Sequence, residues 1–169
     1  MNELQKEIHE HNVKVGWWDD ADINTKFVLV ISELMEALEG DRKNLMDDKL
    51  PHRKMLEVEL ADALIRMLDI GGYHGWDATV TSNEVDEVVD AIGEDYSAIP
   101  FCLLIACDVV LDVYKDHLIT YKSFIVLILA MGKYFNLDIM GALHEKREYN
   151  ATRADHTREN RATTHGKKY

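Results

Sequence analysis

The sequence predicts an all-α protein, a bundle of helices, and three observations carry that prediction. Only two prolines and nine glycines occur in 169 residues, so few points break a helix. Apolar side chains recur at helical spacing in one segment after another. No segment shows the apolar–polar alternation of a strand, and no internal repeat is present. With 47% apolar residues the chain has material for a real core, and its length suits one domain better than two. Amphipathic helices of this kind bury their stripes against one another as a bundle.

Leu4, Ile8 and Val15 set the first helix, about residues 3–15. GWWDDADIN follows as a loop with adjacent tryptophans. Phe27, Val30, Ile31, Leu34, Ala37 and Leu38 mark the second helix, with Gly40 as its stop. The polar DRKNLMDDKLPH connects it to a long helix over residues 53–70, ended by Gly71 and Gly72. A shorter acidic helix is expected over 83–92, two apolar ones over 100–115 and 121–134, and a last over 137–150. Residues 151–169 offer almost nothing to a core. The chain thus divides into a helical domain, 1–150, and a basic tail, 151–169.

The formal net charge is −12. So acidic a surface repels nucleic acid and anionic membrane. An anionic small molecule is still admitted where metal ions or a local basic group reverse the field. Cys102 and Cys107 lie in an apolar run and match no zinc spacing, so they read as buried free thiols. The opening MNELQKEIHEHN has no apolar signal core. No apolar stretch reaches the roughly 18–20 residues that span a bilayer. The expectation is a soluble cytoplasmic protein with neither membrane nor nucleic acid as partner.

ELADALIRML, residues 59–68, is apolar but keeps Glu59 and Asp62. At i and i+3 they share one helix face. In the preceding helix SELMEAL places Glu33 and Glu36 at the same spacing, among Val30, Ile31, Leu34, Ala37 and Leu38. Two consecutive antiparallel helices therefore each offer an acid pair from an apolar face. Burying unpaired carboxylates is costly, and four facing acids add like-charge repulsion. Divalent cations remove both costs, and all-oxygen ligands suit Mg²⁺ or Mn²⁺. Open coordination positions then polarise a phosphoryl group and activate water. Either pair alone reads more readily as a solvated face or a partner of lysine; the coincidence on neighbouring helices favours metal. Glu39 and Glu57 fall off the pattern and read as surface.

Other metal and phosphate motifs are absent. No glutamate has a histidine three residues later, as di-iron bundles require. Asp116-His117 and Asp155-His156 run opposite to the His-Asp of metal phosphohydrolases. No Gly-x-x-x-x-Gly-Lys loop occurs.

SELMEALEGDRK followed by EVELADALIRMLDIGGYHG resembles the all-α nucleoside triphosphate pyrophosphohydrolases of the MazG-like superfamily, whose hallmark is Glu-x-x-Glu and then Glu-x-x-Asp on paired helices. HEHNVKVGWWDD resembles the first helix and aromatic loop of phage-borne members, and HEKREYN with HGKKY their C-terminal region. The resemblance covers about residues 4–76 and 137–169, while the role of about 80–121 stays open. It implies conversion of a (deoxy)nucleoside triphosphate, by analogy with phage members a purine such as dGTP or dATP, to the monophosphate and pyrophosphate. It implies Mg²⁺, with Mn²⁺ as a substitute and two or more ions per site, held by Glu33, Glu36, Glu59 and Asp62. One of these, or a metal-bound hydroxide, is then the base toward the attacking water.

Lys146 and Asn150 match the family's Lys-x-x-x-Asn and share a helix face, so both can reach phosphate or sugar. Trp17 or Trp18 offers a stacking face for a base, but adjacent residues point apart, so only one is expected at a ligand. His11 and Tyr149 are weaker candidates for the same pocket. In the tail, Arg153, Arg158, Arg161, Lys167 and Lys168 outnumber Asp155 and Glu159. A segment this basic could close over a triphosphate or simply be a solvated tail, and Arg42 and Lys43 divide the same way. Family members assemble as dimers or tetramers because one helix pair leaves its apolar faces half covered. The apolar helices after Pro100 would complete the bundle within one chain or across subunits, and completion by a homo-oligomer is the expectation. Two alternatives remain: a HisE-like enzyme cleaving phosphoribosyl-ATP, and a non-catalytic helical module that binds metal or nucleotide.

Overall fold

The computed structural model describes residues 1–19, 22–95, 98–115 and 120–153. Among the described residues it contains seven helices and no strand: α1 (Asn2–Lys14), α2 (Ile23–Lys43), α3 (Met55–His74), α4 (Ser82–Asp95), α5 (Ile99–Lys115), α6 (Tyr121–Tyr134) and α7 (Ile139–Thr152). The all-α expectation holds.

The most apolar segments sit at the centre. Along α3, Leu56, Val58, Leu60, Ala61, Ala63, Leu64, Met67 and Leu68 are all buried, because α1, α2, α6 and α7 cover it from several sides. The second hub is α6, where Phe124, Ile125, Ile128 and Met131 are inaccessible. The segment left open by the sequence supplies its cover: α4 and α5 pack on α6, and α5 also reaches α2. The late apolar helices thus pack against the rest of the bundle within the chain. Truncating one of these leucines to alanine would cost about 2–5 kcal/mol.

The glycines mark helix crossings where stops were expected. Gly40 lies inside α2, and a Cβ there would stand 2.8 Å from the backbone nitrogen of Leu56. The helix continues to Lys43 and ends at Asn44 in the left-handed region, φ 49°. Gly71 and Gly72 likewise lie within α3, where Tyr121, Gln5 and His9 come too close for a side chain. Gly75, φ 68°, is the true end.

Side chains fasten the helices at both ends of α3. Asn2 of α1 donates to Asp77 Oδ1 at 2.9 Å, and Gln5 to the carbonyl of Trp76 at 2.8 Å. At the other end Arg53 lies 2.6 Å from Glu57, 2.7 Å from Glu145 and 3.1 Å from Asp138. Asp138 in turn caps α7 through the amide of Gly141 at 2.9 Å. Glu57, expected on the surface, has a side chain only 12% exposed because Arg53 and the amide of Asp138 hold it. Among the described residues, no single helix is long and apolar enough to cross a membrane.

Candidate functional site

The α2–α3 hairpin builds the site. Gly40 faces Leu56 and Glu33 faces Arg66, so the two helices run antiparallel and their acids meet across the seam. One oxygen each of Glu33, Glu59 and Asp62 lies within 4.8 Å of the others. Glu33 and Glu59 are both only 6% exposed. Glu36 does not join the trio. It sits about 60° around α2 from Glu33, on the exposed side, where its Oε1 accepts from the Ser32 hydroxyl at 3.4 Å.

Two cations of the chain answer the trio. Lys146 of α7 places Nζ 2.8 Å from Asp62 Oδ2, and its side chain is 7% exposed. Arg66, one turn beyond Asp62, donates through Nε to Glu33 Oε1. The balance remains unfavourable to charge on the acids. Burial, then Asp62 and Glu33, push the Glu59 carboxyl well above the usual carboxylate range, with Lys146 opposing. Burial pushes Asp62 up to about 6 against the pull of Lys146. Burial pulls Lys146 down, but Asp62 and Glu59 outweigh it and leave that amine raised. Carboxylate oxygens this close, buried and only partly neutralised, fit a hard divalent cation.

These side chains line a cleft of about 760 Å³, within the range of small-molecule sites. Glu33, Glu36, Glu59 and Asp62 lie on its wall, as do Trp17, Lys146, Asn150 and Arg153. Asn150 Oδ1 is buried there without a hydrogen-bond partner, an acceptor left for something in the cleft. His11 also lines it. Trp18 faces elsewhere, stacked on Tyr73 at 4.4 Å. Tyr149 packs against the core, and Arg42 and Lys43 pair with Glu39. The tail cations Arg158, Arg161, Lys167 and Lys168 lie outside the described residues, as do Asp155, Glu159 and the Asp116-His117 pair.

Sequence reasoning passed over Arg66 and Asp69, although both continue the face that carries Glu59 and Asp62. It also passed over Lys26, on the same face of α2 as Glu33. All three line the cleft. Continuing the i, i+3, i+7 spacing up to two turns further along each helix would have found them.

Comparison of the chain with protein-family models, with curated proteins and with solved structures finds no match. The geometry supports a cluster of acids able to hold a cation on the wall of a cleft; the reaction itself rests on the resemblance in the sequence.

Proposed function

We propose that the chain is a metal-dependent nucleoside triphosphate pyrophosphohydrolase, taking a (deoxy)nucleoside triphosphate and water to the monophosphate and pyrophosphate. The observation that carries the reading is the meeting of Glu33, Glu59 and Asp62 oxygens within 4.8 Å on the wall of a cleft that also holds Lys146 and Arg153. Mg²⁺, or Mn²⁺ in its place, two or more ions per site, would be held by these acids with Glu36 alongside. Bound there, the ions supply positive charge for phosphate oxygens and lower the pKa of water.

The chain's own groups do the positioning. Lys146 brings a point charge beside the acids, and its ammonium can turn from Asp62 to a phosphate once that carboxylate is otherwise engaged. Asn150 Oδ1 would accept a hydrogen bond from a sugar hydroxyl, which removes its buried deficit. Trp17 gives a flat face against a base, and Arg153 adds charge at the rim. The exposed apolar side chains Val28 and Met35 of α2 and Phe101, Leu104 and Leu111 of α5 support a homo-oligomer, a dimer or tetramer.

The ion pairs Lys146–Asp62 and Arg66–Glu33 favour a second reading, a helical module whose acids are satisfied by protein cations alone. One experiment separates the two: a panel of NTPs and dNTPs, with phosphoribosyl-ATP, incubated with Mg²⁺ or Mn²⁺. Monophosphate with pyrophosphate supports the enzyme, fastest turnover of phosphoribosyl-ATP redirects it to a HisE-like substrate, and no product from any compound leaves the module.

A further inference from the structure

Away from the three acids, the wall of the cleft includes Asp69, which is 5% exposed. It continues the row of Glu59, Asp62 and Arg66 along α3. Its fixed hydrogen bonds fall on one oxygen: Oδ1 accepts from Trp18 Nε1 at 2.9 Å and from His9 Nδ1 at 2.8 Å. Trp18 is itself held, stacked on Tyr73 with 8° between the rings and with Lys26 Nζ 4.7 Å from its centroid. Among the described residues, Oδ2 accepts no hydrogen bond. A carboxylate has about four lone-pair positions, and Oδ2, which is not among the buried atoms left without a partner, is open to the solvent of the cleft that Asp69 lines. A rigid acceptor with one oxygen to spare, on the wall of a cleft, is built to meet a donor.

Its distance from the acids says which donor. Seven residues of helix separate Asp62 from Asp69, about 10 Å along the axis, which is the reach of a nucleoside from its 5′-phosphorus to the far edge of the base. Ile8, Leu29 and Ile65 line the same cleft and offer apolar walls to a flat ring. We propose that Asp69 is the specificity-determining residue of the cleft, reading the hydrogen-bonding edge of the base and selecting guanine; this rests on the pyrophosphohydrolase reading. An ionised carboxylate only accepts. Guanine presents two adjacent donors, N1–H and the 2-amino group. Adenine and cytosine set a ring-nitrogen acceptor beside their amino group, and thymine and uracil flank N3–H with carbonyl oxygens. Each of these turns an acceptor toward the carboxylate.

The test measures kcat/KM with Mg²⁺ for dGTP, dATP, dCTP, dTTP and dITP, whose base lacks the 2-amino group, on the wild type and on Asp69→Asn. The wild type is expected to favour dGTP by at least about ten-fold over the other common bases and over dITP. Asp69→Asn is expected to lower dGTP at least about ten-fold while dATP changes by less than about three-fold. A wild type with no guanine advantage overturns the proposal. So does a variant that lowers all five substrates by one common factor, as loss of a structural pin for Trp18 and His9 would. The comparison of dGTP with dITP needs no variant and decides the matter even if Asp69→Asn does not fold. If no triphosphate is turned over, the hydrolase reading fails separately, and calorimetric titration with dGTP and dATP decides about Asp69: tighter dGTP binding lost in the variant supports its role, and equal affinities overturn it.

Discussion

The ammonium of Lys146 lies 2.8 Å from a carboxylate oxygen of Asp62, so the chain carries its own cation against an acid assigned to metal. Lys146→Met should tighten Mg²⁺ binding, since the competing charge is gone, and should lower triphosphate turnover, since a phosphate partner is gone too. In chelator the variant should lose about 3 kcal/mol, because Asp62 is left buried and unpaired. Mg²⁺ titration, steady-state kinetics and chemical denaturation read the three effects. Unchanged Mg²⁺ affinity would mean that Lys146 and the ion do not share Asp62.

Glu59→Gln and Asp62→Asn should each reduce turnover by on the order of 10³-fold with the helical circular-dichroism signal retained. In chelator Glu59→Gln should melt no lower than wild type, because the carboxyl it replaces is pushed up by burial and by Asp62. Wild-type activity in either variant removes that acid from the metal site.

Stability in chelator should fall as pH rises. The folded values of Glu59 and Asp62 lie above their unfolded ones, so the folded state holds more protons and loses stability as they leave. The loss starts near the ordinary carboxylate value of about 4. It passes through about 6 for Asp62 and continues higher for Glu59. Melting temperature without divalent ions should therefore drop between about pH 5 and about pH 8, and Mg²⁺ should restore it at the upper end. A profile identical with and without Mg²⁺ counts against cation binding by these acids.

Arg53 ties the start of α3 to α7 through Glu57, Glu145 and Asp138. Arg53→Met should cost about 2–3 kcal/mol, a fall of roughly 5–10 °C in melting temperature. Because Lys146 rides on α7, KM for triphosphate should rise as well. A stability loss with KM untouched would show that α7 is held in place by its apolar face alone.

Much of this was legible in the chain. Glu59 and Asp62 stand out because acids at i, i+3 inside an apolar run need a partner once buried, and Glu33 repeats the signal. The all-α fold follows from the spacing of apolar residues and the scarcity of proline. Other features were hidden for physical reasons. Gly40, Gly71 and Gly72 read as helix ends because a local rule cannot see a neighbouring helix pressing on them. Asp69 continues the face of Glu59 and Asp62, but its partners His9 and Trp18 lie 60 and 51 residues away, so nothing local marks it as held. Glu57 read as surface because Arg53 and Asp138 reach it only in the folded chain.

Gly40 stands two turns from Glu33, at the point where α2 touches the backbone of α3. The separation between the helices is therefore set by main chain against main chain, which yields far less than a rotatable side chain. A Cβ at position 40 would press on Leu56 and Met55 and so push the two helices apart. The spacing of Glu33 from Glu59 thus depends on a residue that reaches neither acid.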